Sequence, residues 1–299
     1  MTVFYYLGLF LCGAASTFSM QKYGRSNRTY QSIIVYALVT GMMAMGIFWA
    51  MSGFTLELSA VSILYATVYA ALALLSYSTN LPAYRYLGVS EVGVLLTGGK
   101  LILSTVAGCV LFGERLTWVT LSRVVLMLAA AVLLFFEDRK ESAENAQRRQ
   151  GRRLIGVLLC AVLIVEGTFA SVLSKYIALD PRVPDANSLF FMTNLVIVTV
   201  SLLSLPLFCR GHIGACVSEF RSIAPMQYLM ILVGTVASNV SSLLGVLILA
   251  ADAFTLFVPL SGALGILSTE AVAVFAVRER PRILPVTLAC GAMLLSLFE

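Results

Sequence analysis

Three ionisable side chains stand where ionisable side chains are costly. Lys100 lies in "LLTGGKLILSTVAG", residues 95–108, inside an uncharged run from Val92 to Gly113. Glu166 lies in "AVLIVEGTFASVLSK", residues 161–175, and Glu270 precedes Arg278 by eight positions. At 1.5 Å per helical residue, Lys100 is about 13 Å from Glu91 and about 21 Å from Glu114, and Glu166 is about 13 Å from Lys175. Snorkelling to a polar boundary is difficult at such depths. Insertion scales charge at least about 2.5–3.5 kcal/mol for a mid-membrane lysine, which makes sense where it faces a wet cavity or a carboxylate. Three chemistries fit. Glu166 alone suits proton-coupled export of a cation or neutral compound; Glu166 with Lys100 suits exchange of an anionic or zwitterionic metabolite; a silent ion pair would only fix helix packing. Glu270 is an alternative partner for Lys100, and the sequence leaves that choice open.

Polar neighbours extend the candidate site. Thr97, Lys100 and Ser104 recur at i, i+3 and i+7, one face of a helix, and Gly98 and Gly99 permit close backbone approach. Tyr65 and Tyr69 share a face with Ser62 and Ser76, and could stack on a ring-bearing substrate or fill a core. Thr235, Ser238, Asn239 and Ser242 form a stripe that either lines a cavity or bonds a neighbouring helix, and Asn194 carries the same two readings. Pro259, Gly262 and Gly265 are the residue types of an interrupted segment of the sort that marks a transporter's site or hinge. Arg123, five residues beyond Trp118, is close enough to a helix start to snorkel.

The elements that would position these residues are membrane helices. Hydrophobic residues make up 60% of the 299, charged residues 12%, and the mean hydropathy is +0.94, far from the roughly 25% charged of soluble domains. A span needs about 20 mainly apolar residues. The chain offers ten such segments, at 3–21, 30–51, 59–80, 90–112, 118–136, 154–174, 187–209, 226–249, 253–276 and 283–298. The N-terminal stretch lacks a basic n-region and is read as the first span. The polar break 137–153 falls near the middle, dividing a first five-helix repeat, 1–136, from a second, 154–299. "STFSMQKYG" echoes "GTFASVLSKYI", and "LFGERLT" sits opposite "AVRERPR", pairing Glu114-Arg115 with Glu279-Arg280. An odd number of helices per copy inverts the second copy. The expected fold class is therefore an all-α polytopic membrane protein of ten transmembrane helices in two inverted five-helix repeats, with a site between the halves. Breaks after helices one, three, five, seven and nine hold 15 of the 20 Lys and Arg residues, which by the positive-inside rule places both termini outside.

In this order, the tandem five-helix repeat, the first-helix ending "QKYG" and the "FGERLT" turn resemble the drug/metabolite transporter superfamily, EamA-type branch, over essentially the whole length. "GGKLILSTVAGCVLFGERLT" is similar to the fourth helix of nucleotide-sugar transporters, where a lysine faces an anionic substrate. The segment around Glu166 is similar to the first helix of small multidrug resistance proteins, whose membrane glutamate exchanges protons for substrate. The resemblance implies alternating-access transport of a small organic solute, with protons or a counter-transported solute as coupling partners, in a prokaryotic cell membrane, by a monomer or homodimer. It also implies cytoplasmic termini, the reverse of the charge count. The first half has Gly13 or a neighbour where the second has Glu166, so a symmetric pair of acids is absent.

Other classes are disfavoured. An embedded enzyme would need a nucleophile with its base, paired intramembrane aspartates or a metal cluster, and the lone His212 falls in a loop. With Cys209 and Cys216 it makes a weak metal signal, and the six spread cysteines read as small core residues. No cofactor is implied. No GxxxxGK[ST] loop occurs, so direct ATP drive is not supported. The +5 charge sits in short clusters between apolar runs, which argues against a nucleic-acid partner.

Overall fold

A computed structural model describes residues 2–26, 30–87, 89–141, 146–208, 218, 221, 225–251, 254–275 and 283–295. Most of these residues are helical and none of them is in a strand. Ten helices have described bounds: α1 (Thr2–Ser26), α2 (Tyr30–Met51), α3 (Ala60–Tyr86), α4 (Val89–Leu111), α5 (Trp118–Glu141), α6 (Ala146–Leu179), α7 (Ala186–Phe208), α8 (Pro225–Ala251), α9 (Phe254–Phe275) and α10 (Ile283–Leu295). Apolar runs of this length become helices because hydrocarbon offers backbone groups no other partner than their own i−4 neighbours. Among the described residues six stretches are long and apolar enough to cross a membrane: Ser32–Met51, Ala60–Tyr86, Glu91–Leu111, Arg153–Leu179, Ala186–Pro206 and Pro225–Ala250. They point to an integral membrane protein. Trp118–Ala130 and Leu260–Val272 are shorter apolar helical stretches. Much of the polar stretch 137–153 is helical, with 137–141 extending α5 and 146–153 opening α6.

The helix ends explain the turns. Ser59 caps α3, its hydroxyl accepting from the Ser62 N–H at 3.0 Å, and the Asp185 carboxylate accepts from the Asn187 and Ser188 N–H groups at 3.0 and 2.8 Å to start α7. Each satisfies donors that a first helical turn leaves open. After α4 the chain turns at Gly113, whose φ of +65° is left-handed, as suits a residue without a Cβ. That turn aims Glu114 at α9, where its carboxylate accepts from the Phe254 N–H at 2.8 Å. Phe112 lies against Phe254, with ring centroids 5.3 Å apart. The "FGE" of the sequence is thus a clamp between two helices far apart in the chain.

Packing joins the first five helices to the last five throughout. The chief pairs are α1 with α8 and α9, α3 with α6 and α7, α4 with α6 and α9, α2 with α7, and α5 with α10. Exchanging α1–α5 with α6–α10 carries α1·α8 into α3·α6, carries α1·α9 into α4·α6, and returns α2·α7, α4·α9 and α5·α10 to themselves. Phe48 of α2 stacks on Phe190 of α7 at 5.2 Å, and a Cβ at Gly41 would come within 2.9 Å of Val198, so α2 and α7 meet closely at that small residue.

Two sequence expectations are corrected here. Arg123 does not snorkel: it is 0% exposed, and its guanidinium donates to the Leu295 carbonyl at 3.2 Å. The end of α10 offers an acceptor that a terminal turn leaves unbonded, so one arm of the guanidinium is bonded inside the bundle. The helix at Pro259 is not interrupted, since α9 runs on from Phe254 to Phe275. Gly262 and Gly265 allow close approach to α4: a Cβ at Gly262 would sit 3.0 Å from the Thr97 methyl and one at Gly265 would sit 3.6 Å from the Thr97 hydroxyl.

Candidate functional site

A cavity of about 470 Å³ lies among α1, α3, α4, α6, α8 and α9, within the roughly 300–1,000 Å³ usual for small-molecule sites. Its wall mixes apolar side chains with many hydroxyls: Ser16 and Thr17 from α1, Ser76 from α3, Thr97 and Ser104 from α4, Ser171 and Ser174 from α6, Ser238, Ser241 and Ser242 from α8, and Ser261, Ser268 and Thr269 from α9. Tyr69, Asn80 and Tyr84 add polar groups from α3. The charged side chains on this wall are Lys100 and Glu166.

Lys100 sits at the centre of its helix and Glu166 at the centre of the apolar part of its own. Lys100 is eleven residues from each end of α4, and Glu166 is thirteen from each end of the apolar stretch Arg153–Leu179, or about 16 and 20 Å along the axis. The Lys100 side chain lies over the backbone of α6, where a Cβ added at Gly167 would collide with its Cε and Nζ. Gly99 of α4 in turn abuts Ile164 of α6. The ammonium acts electrostatically on the Glu166 carboxylate. Among the described residues, however, neither group forms a hydrogen bond or an ion pair. Glu166 is only 7% exposed. Tyr69 stands beside Ser174 and Ser242 and within electrostatic reach of Glu166, its ring held edge-on by Phe190 at 5.7 Å.

The residues singled out from the sequence divide. Lys100, Thr97, Ser104, Tyr69, Ser238 and Glu166 share the cavity. Tyr65 does not line it: it lies near the start of α3, and its hydroxyl donates to Asp180 at 3.0 Å. Asn194 and Asn239 do not line it either, and each amide donates to the carbonyl four residues back, Phe190 and Thr235 respectively, both at 2.8 Å. Their polarity is absorbed within their own helices. Glu270 is buried on α9 at 4% exposure, off the cavity wall. His212, Cys209, Cys216 and the Glu279-Arg280 pair lie outside the described residues. Sequence reading did not single out the hydroxyls of α1, α6 and α9. A signal existed: "GGKLILST", residues 98–105, recurs as "GALGILST", residues 262–269, and both its copies, Ser104 and Ser268, face the cavity. Leu264 stands at the position of Lys100, so the lysine is unique to one copy.

Polar clusters flank the cavity. Towards one end Arg153 donates to Glu91 at 2.5 Å, tying α6 to the start of α4. At the opposite end Arg182 donates twice to Asp180, at 2.9 and 2.8 Å, and the Ser59 hydroxyl donates to the Arg182 carbonyl at 2.7 Å. The guanidinium holds the Asp180 carboxyl well below the usual carboxylate range. Deeper, Lys175 is buried and donates to the Leu249 carbonyl near the end of α8 at 2.7 Å.

No protein-family model matches the chain, and no curated protein matches it. A solved structure described only as the crystal structure of a protein superposes with a TM-score of 0.66 over 97% of this chain and 97% of that one, at 17% sequence identity. The likeness is one of fold.

Proposed function

We propose that the protein is a secondary-active transporter that carries a small polar organic metabolite across the membrane by alternating access, with the central cavity as its site. The observation that carries this reading is the cavity itself: a hydroxyl-lined space holding one cation and one carboxylate at the centres of helices otherwise apolar enough for lipid. Ionisable groups are kept at such depth when they serve a solute or ion path. Equal and opposite charges on its wall favour a zwitterion over a simple anion. The packing pairs, which exchange with one another when the halves are exchanged, and the recurrence of "ILST" in α4 and α9 support two inverted five-helix repeats. The same features support membership of the drug/metabolite transporter superfamily, EamA-type branch, and ten spans, with both termini outside by the loop charges.

The test is flux into liposomes with a neutral amino acid such as glutamine, a dicarboxylate and a lipophilic cation as probes. Uptake of the zwitterion is expected, and Lys100→Met and Glu166→Gln should each reduce it roughly 30-fold or more, since stranding one member of a buried charge contact costs about 2–5 kcal/mol. Cation movement that follows a proton gradient and needs Glu166 but not Lys100 would replace this reading with a drug-type proton exchanger. Absence of flux for all three probes would refute the transport reading.

A further inference from the structure

Lys100 and Glu166 face one cavity yet do not join, and the residue beside the acid explains why. Successive residues on a helix project about 100° apart, so position 167 presents a different sector of α6 from Glu166. At that sector there is no side chain, and the three atoms nearest to a Cβ built there are all from Lys100: Cδ, Cε and Nζ. The end of the lysine therefore rests in a groove on α6 that only glycine leaves open. We propose that Gly167 is a positioning residue which holds the ammonium of Lys100 away from the carboxylate of Glu166, so that the cavity presents two separate poles in place of one neutral pair.

The alternative arrangement is close at hand. A methyl group at position 167 would take the space of the ammonium and its last methylene. These are the far end of a flexible chain, so the lysine swings and the helix stays. The carboxylate one residue away attracts it in a cavity of low dielectric. The charges would then satisfy each other, and a two-poled solute would find neither free. Gly167 thus sets specificity through the place it gives the lysine. This rests on the cavity's being the substrate site proposed above, but its test does not need a substrate.

A membrane-permeant carbodiimide joins a carboxyl to an amine as an amide when the two are in contact, with loss of one water, and the joined peptides are read by mass spectrometry. The full-length wild-type protein should give no Lys100–Glu166 link, and Gly167→Ala should give one, abolished again by Glu166→Gln. A link in the wild type, or none in Gly167→Ala, overturns the proposal. If Gly167→Ala folds poorly, its pairing with Lys100→Ala decides: the double variant should melt with Lys100→Ala alone, whereas a double variant as weak as the single one makes Gly167 an ordinary packing glycine and sinks the proposal. Loss of flux in every protein together with the expected linking pattern would remove the transport reading and leave this one standing.

Discussion

Lys100 and Lys175 are two lysines set into the same bundle, and the fold treats them differently. Lys175 is buried and spent: its ammonium donates to the Leu249 carbonyl, one of the last in α8, where a terminal turn leaves acceptors open and where the helix dipole favours a cation. Lys100 lies half-buried on the cavity wall and has no such partner among the described residues. The acids divide in the same way. Asp180 is locked by Arg182 and Tyr65, while Glu166 faces the cavity without a bond among the described residues. The lesson is that charge within a bundle of this kind is not by itself a mark of function. The mark is charge that the fold brings in and then leaves unsatisfied.

The comparison is most easily broken at the two lysines. Lys175→Met should cost stability, because it removes a charge-assisted bond worth about 1.5–3 kcal/mol and leaves a buried carbonyl open. Lys100→Met should cost little or nothing, since it removes a desolvated charge that no bond repays. Thermal unfolding of the detergent-purified variants, without added solute, measures both. A Lys100→Met protein as damaged as Lys175→Met would mean that Lys100 is structural, and the contrast would collapse.

The charged pair was legible in the sequence because a charge in an apolar run is a local signal that needs no knowledge of neighbours. The helices were legible for the same reason, since run length and hydropathy are local. The cavity wall was not. A serine or asparagine in a membrane helix can face a cavity, bond another helix, or bond its own carbonyl four residues back, and only the helix's rotation against its neighbours decides. Asn194 and Asn239 took the last course, whereas Ser238, one residue from Asn239, took the first. Arg123 misled for a related reason: its nearness to the start of α5 is visible in the sequence, but the open carbonyl of Leu295 that receives it comes from the far end of the chain.

Glu114 sharpens the comparison at smaller scale, because it is a charge used as a cap. Glu114→Ala removes the acceptor for the Phe254 N–H and should destabilise by about 1 kcal/mol, the usual worth of an N-cap. Glu114→Gln keeps an oxygen acceptor and should lose less than half as much. Equal losses in the two variants would show that the charge of Glu114, and not its cap, holds the turn. Neither variant should alter the binding of a solute in the central cavity, which makes the pair a control for Glu166→Gln.

The smallest effect expected is at Asp180, and it carries a sign. The carboxyl is held below its ordinary value, chiefly by the hydrogen bonds from Arg182, so the folded group keeps its charge in acid where an unfolded one, at about 3.9, begins to take up a proton. Stability from this contact is therefore fully present above about pH 4 and is lost only as the pH falls through the lower folded value. Arg182→Gln removes the guanidinium and returns the carboxyl towards its ordinary range. The variant should match the wild type in the acid dependence of unfolding near neutrality and part from it only below about pH 4, where the wild type alone still has stability to lose. The exposed position of Arg182 keeps the difference slight. A pH profile that parts near neutrality instead would place the titrating group elsewhere than Asp180, and would remove the contact with Arg182 from the acid response.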